Sequence, residues 1–223
     1  MPASPASFTN LPALEVHQHT FPNGLELLVH EDHSAPVASV QAWVRTGSLH
    51  EDRFLGAGIS HLLEHLLFKG TRRRSCNQIA QQIQDVGGYV NAYTSFDRTV
   101  YWVDLPSKGL GIGLDVLADA LFHSTLPEEE FAKEQEVIRR EFAMGFDDPE
   151  SILSKRIFST AYLTHPFRHP VIGHLEVFNA LSREDVLAYY RTRYVPNNVF
   201  FVVAGAVDAA QVREELARWV EPI

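Results

Sequence analysis

No stretch limits the possible folds of this chain more than GISHLLEHLLFKGT, residues 58–71. Leu62, Leu63, Leu66, Leu67 and Phe68 give a short helix apolar flanks nearly all round, which places it beneath other layers of the structure. Gly70 supplies its C-terminal stop. The same helix carries His61, Glu64 and His65, and polar groups removed from water require partners. His61 and His65 stand four apart, so they lie on one helix face, one turn from each other. Two imidazoles placed this way can grip one metal ion. Glu64 is three residues from His61 and offset from His65, so it can reach a water at that ion without being a ligand. A solvated face would account for the polar residues alone but not for the leucines pressed around them.

The remaining composition narrows the options. The chain has 223 residues, 45% hydrophobic and 21% charged, enough for a sizeable core. Its net charge of −9 argues against a nucleic-acid partner, because phosphate binding needs clustered Lys and Arg. The one basic run, Arg72–Arg74, reads as a solvated turn. Cys76 is the only cysteine, which excludes an internal disulfide and a cysteine-based zinc cluster. It sits at an expected helix start and reads as a bystander. No apolar run reaches membrane-spanning length, so no membrane partner is expected. The first residues lack the charged and apolar regions of a signal peptide, and the expectation is a cytoplasmic protein.

Local punctuation divides the chain. Residues 1–14, Pro/Ser/Ala-rich for most of their length, read as a flexible arm, and 15–223 as a single domain. Two strands flank Asn23-Gly24, a strong hairpin signal. PVASVQAWVRTG is a third strand. Helices are expected near 57–69 and from Ser75, which with Gln78 forms a capping box, to Gly87-Gly88. YVNAYTS and TVYWVDL are strands joined at Phe96-Asp97-Arg98. Helices follow near 109–123, 127–146 and 149–162, with Pro127 as a first-turn proline. THPFRHPVIG is a loop, Ser182 caps a helix to about Tyr194, NNVFFVVAGAV is a buried strand, and 208–220 is a closing helix. The fold class is α+β: a mostly antiparallel, mixed sheet of about five to six strands with helices packed mainly on one face.

The pattern H-x-x-E-H at 61–65 is the inverzincin signature. Two histidines do not complete a catalytic zinc site; a third protein ligand is needed, with the fourth position left for water. Candidates lie on the acidic helix PEEEFAKEQEVIRREFAMGF, where Glu134 and Glu141 are seven apart and share a face. Glu141 can complete a His, His, carboxylate set. A Glu-rich helix is also the composition of a plain salt-bridged surface, and spacing alone does not separate the two.

Four segments, SVQAWVRTGSLHED…GISHLLEHLLFKGT, GGYVNAYTSFDRTVYWVDLP, EEFAKEQEVIRREFA…DDPES and HPFRHPVIGHLEVFNALSREDVLAYYRTRYVPNNVFFVVAG, agree in order and spacing with one family. Over about residues 15–220 the chain resembles the pitrilysin-type zinc metallopeptidases, which include insulin-degrading enzyme and mitochondrial processing peptidase. The resemblance implies Zn2+ as cofactor, with His61, His65 and Glu141 as metal ligands. It implies Glu64 as catalytic base and Glu134 as an accessory glutamate supporting the site. It makes NAYT at 91–94 the edge strand beside the active site, where a peptide substrate adds as an extra strand through contacts at Asn91, Ala92 and Thr94. Family members close around a chamber built from two related halves or paired subunits. The second half contributes an Arg/Tyr pair that steadies the substrate carbonyl. The implied partners are a peptide and such a second half, in cis or as a subunit. An uncovered edge and face also imply self-association.

The expected function is therefore the catalytic half of a zinc endopeptidase acting on extended peptides. A non-catalytic binding or assembly subunit of the same family is the alternative, although such members tend to lose the H-x-x-E-H residues, which are intact here. An unrelated zinc hydrolase of small molecules is a third reading.

Overall fold

A computed structural model describes residues 14–223. The expected N-terminal arm lies outside the described residues except for Leu14. Strand β1 (His17–Thr20) turns at Asn23-Gly24 into β2 (Glu26–Glu31). Gly24 takes φ +88°, the left-handed conformation that such a turn demands. Asn23 locks the corner by accepting from the Leu25 N–H at 3.2 Å and donating to the Val220 carbonyl at 2.6 Å. Strand β3 (Val37–Val44) precedes helix α1 (Ile59–Leu67) and helix α2 (Cys76–Asp85). A hairpin, β4 (Tyr89–Thr94) and β5 (Thr99–Pro106), leads to helices α3 (Leu110–His123), α4 (Glu128–Asp147) and α5 (Pro149–Ala161). A short helix α6 (Leu175–Phe178), helix α7 (Arg183–Arg193), strand β6 (Val199–Gly205) and helix α8 (Ala209–Val220) complete the chain.

The six strands form one mixed sheet in the order β1-β2-β6-β3-β5-β4. All neighbours are antiparallel except β2 and β6. Register aligns Val29, Val203, Val40 and Val103 across four strands, and Leu27, Phe201, Ala42 and Tyr101 in the next row. These rows are fully buried beneath the helices. The period-2 alternation sends Gln41, Trp43, Trp102 and Phe200 to the opposite, half-covered face. There Trp43 stacks on Phe200 at 5.6 Å.

Two local readings change. Pro127 caps α4 from outside rather than occupying its first turn. Its missing N–H is harmless there, because the first helical N–H groups have no intrahelical acceptor. Arg74 is not in a solvated turn. Its guanidinium is buried between Asp115 (2.5 Å) and Asp119 (2.6 Å) of α3, and its Nε donates to Gln82 of α2 at 2.8 Å. Arg73 does match the exposed reading in part, reaching Asp115 from the surface. The reversal has a physical cause: a buried arginine needs carboxylates, and these lie more than forty residues further along the chain.

Candidate metal centre

Helix α1 begins where two backbone demands coincide. Gly58 has φ +70°, and a Cβ there would meet the Ile172 carbonyl oxygen at 2.0 Å. The orphan N–H groups of Gly58 and Ser60 donate to the two oxygens of Glu51 at 3.2 and 3.0 Å. Glu51 is fully buried. Burial raises its carboxyl to about 7, against the opposing pull of those hydrogen bonds. Sequence reasoning missed this residue, since a carboxylate whose partners are backbone groups leaves no spacing signature. Ser60 is tied further to the Tyr189 hydroxyl at 2.8 Å. The start of the helix is thereby fixed in direction as well as position.

One turn on, the expected residues converge. His61, His65 and Glu141 each offer one ligand atom, all within 4.8 Å of one another. Nε2 of His61 lies 3.7 Å from one Glu141 oxygen, and Nε2 of His65 lies 3.7 Å from the other. These gaps are too long for hydrogen bonds. Ligands about 2.0–2.2 Å from one zinc ion stand roughly 3.3–3.7 Å apart, so the spacing suits a shared ion. Burial, with His65 adding to it, lowers the His61 imidazole to about 3 and keeps it neutral, the form that ligates. Its Nδ1 is buried without a hydrogen-bond partner among the described residues. The donor set therefore fits a zinc ion.

The surrounding carboxylates orient these donors. Glu134, buried on the inner face of α4, accepts from Nδ1 of His65 at 3.0 Å and pairs with Lys69 at 2.7 Å. This fixes the tautomer that leaves His65 Nε2 directed at the cluster. Burial opposes ionisation of Glu134, but the His65 and Lys69 bonds prevail and lower its pKa. Burial lowers the His65 pKa, but the Glu134 hydrogen bond and the charges of Glu141 and Glu64 outweigh it and raise the pKa. Glu64 differs. Burial raises its pKa, with Glu141's charge adding to the shift, although Thr94 donates to it at 2.5 Å.

Strand β4 is an edge strand. Thr94 lies on the α1 side and reaches Glu64, whereas Asn91 is in register with Trp102 of the open face and is not brought to the cluster. Its Oδ1 accepts from the Ala92 N–H at 2.8 Å, covering a donor of the unpaired edge.

The insulinase (peptidase family M16) model matches residues 26–174. A Bacillus subtilis protein described as an uncharacterized zinc protease is 32% identical over 92% of this chain and 49% of its own length. A probable mitochondrial-processing peptidase subunit beta of Arabidopsis thaliana is 33% identical over 93% of the chain and 39% of its own length. The crystal structure of a protease from Helicobacter pylori superimposes with a TM-score of 0.89 at 29% identity, covering 94% of this chain and 51% of that one. This chain thus spans about half the length of these relatives or less. The matched segment contains the whole cluster from His61 to Glu141, and the chain belongs to the M16, or insulinase, family of peptidases.

Proposed function

We propose that this domain hydrolyses extended peptides with a zinc ion held by His61, His65 and Glu141. The observation that carries the reading is the convergence of those three donors beside a glutamate whose surroundings favour taking up a proton. When bound, zinc supplies Lewis acidity for the scissile carbonyl and makes water a better nucleophile. Glu64 serves as general base: Thr94 holds one carboxylate oxygen, and the other takes the proton and later hands it to the leaving amine. Glu134 keeps the His65 ring aligned. The outer edge of β4 pairs with the peptide backbone; Asn91 withdraws its Oδ1 from Ala92 N–H to admit it. Because the relatives are about twice as long, a second half-domain is proposed as the opposite wall of the site.

Elemental analysis together with peptide cleavage tests this reading. About one zinc per chain is expected, cleavage should stop on chelation and return with zinc, and His61→Ala should lose both metal and activity. Protein that refuses zinc on titration overturns the metal assignment. Zinc-loaded protein, paired with its second half, that cleaves no peptide favours the non-catalytic assembly role.

A further inference from the structure

At the C-terminal end of α4, the chain departs from its acidic character. A cavity of about 650 Å3 is lined by Lys155, Arg156, Arg168 and His174, with Phe142 and Phe146 as apolar wall. Lys155, Arg156 and Arg168 make no ion pair among the described residues, and Glu176 is the one carboxylate in the lining. Two of the cations are nevertheless oriented. The Arg168 guanidinium donates to the Leu163 carbonyl at 2.7 Å, and the Lys155 ammonium sits over the Phe146 ring at 5.8 Å. The His174 ring is fixed by His169 at 2.9 Å. Burial lowers the His174 pKa, and the charges of Arg168 and Lys155 lower it further.

A second cleft, of about 340 Å3, shares Lys155, Arg168 and Pro170 with the first. Its walls are aromatic. Phe96 lies 5.3 Å from Phe158 and 4.8 Å from Phe167, ring centre to ring centre. Phe96 belongs to the turn that follows Thr94, which places this cleft at the C-terminal end of β4.

We infer that the joined clefts around α5 form a specificity subsite for an acidic residue, Asp or Glu, flanked by an apolar residue of a peptide laid along β4. The inference rests on the peptide reading of the site given above. The aromatic walls take the apolar side chain, and the Arg168 fork with the Lys155 ammonium takes the carboxylate. A free inorganic anion would leave the aromatic cleft unused.

The test is equilibrium binding, which requires no cleavage. Fluorescein-labelled octapeptides carrying Glu, Gln or Lys at successive positions are titrated with the Glu64→Gln chain and followed by anisotropy. At one position Glu should bind roughly ten-fold tighter than Gln at low ionic strength, and the preference should shrink as salt rises. Lys155→Glu with Arg168→Glu should invert the preference toward Lys, and Lys155→Met with Arg168→Met should abolish it. Arg168 is exposed and Lys155 half-buried, and circular dichroism checks that the variants keep their fold. Peptide binding with no preference for Glu at any position, or a preference that survives charge reversal, overturns this inference and leaves the hydrolytic reading standing. Acid-selective binding by a zinc-loaded wild-type chain that, paired with its second half, never cleaves has the opposite effect. Failure to bind any peptide overturns both.

Discussion

Glu64 and Glu134 are the same amino acid with its pKa shifted in opposite directions, up for Glu64 and down for Glu134. Glu134 is buried and Glu64 half-buried, and loss of water alone pushes a carboxyl up. Glu134 escapes because His65 and Lys69 both reach it; Glu64 has one hydroxyl and a like charge nearby. A group that must take up and return a proton belongs in the second environment, and a group that must stay anionic belongs in the first. Glu64→Gln is therefore expected to keep zinc at wild-type stoichiometry while lowering peptide cleavage by roughly two to four orders of magnitude, as single-turnover assays would show. Glu51 gives a different kind of prediction. Its carboxyl is raised to about 7 in the fold against 4.5 as a free side chain. Between those values the folded chain keeps a proton that the unfolded chain has lost. The stability from this group is full below the lower value and disappears as pH rises through the upper one, a change on the order of 3 kcal/mol. Urea melts from about pH 5 to pH 8 should show that decline, and Glu51→Gln should flatten it. Glu51→Gln should also lower the whole curve, since its amide places an NH2 against an N–H at the start of α1.

Among the elements, those with local punctuation were legible in the sequence. Asn23-Gly24, the Ser75–Gln78 box and Ser182 each act through neighbours within a few residues, and each marks the boundary it was expected to mark. The H-x-x-E-H pair was equally legible, because a helix fixes which side chains share a face. What could not be read locally depends on pairings distant in sequence. Resemblance, rather than spacing, singled out Glu141 as the third ligand. Arg74 looked solvated because Asp115 and Asp119 become its neighbours only after α3 folds back. The basic subsite combines Lys155 of α5 with Arg168 of the following loop and Phe96 of a strand turn, which no short pattern links. The joint between α2 and α3 offers a direct check. Arg74→Ala leaves the buried Asp119 carboxylate without its main partner, and a loss of about 3–5 kcal/mol in urea unfolding is expected. Combining Arg74→Met with Asp119→Leu should recover part of that loss, because an apolar pair of similar size incurs no charge burial.

For the whole molecule, the sheet order leaves two surfaces unmatched. Among the described residues, β4 presents a free edge, and the sheet face bearing Trp43, Trp102 and Phe200 is only half-covered. Met144, Leu153, Ile157 and Leu163 add exposed apolar area around α4 and α5. We expect the isolated domain to bind zinc yet cleave peptides slowly, and to self-associate with rising concentration. Supplying a second M16 half-domain in trans should raise cleavage and suppress association, by orienting the peptide and excluding water. Analytical ultracentrifugation with a cleavage assay reads both effects. A monomer already at full activity that the added half does not improve would remove the two-half picture.

The parallel pairing of β2 with β6 has a consequence in time. Residues 199–205 occupy the lane between two strands that end before residue 45. A ribosome delivers the chain from its N-terminus at about 5–20 residues per second, so β2 and β3 emerge with a gap between them that lasts until almost the entire domain has been synthesised. During that interval both strands have unpaired inner edges, and α1 carries its histidines with no finished sheet below. Such late, long-range closure slows folding and lengthens exposure to aggregation. Association of the nascent domain through those open edges is therefore most favoured before β6 pairs.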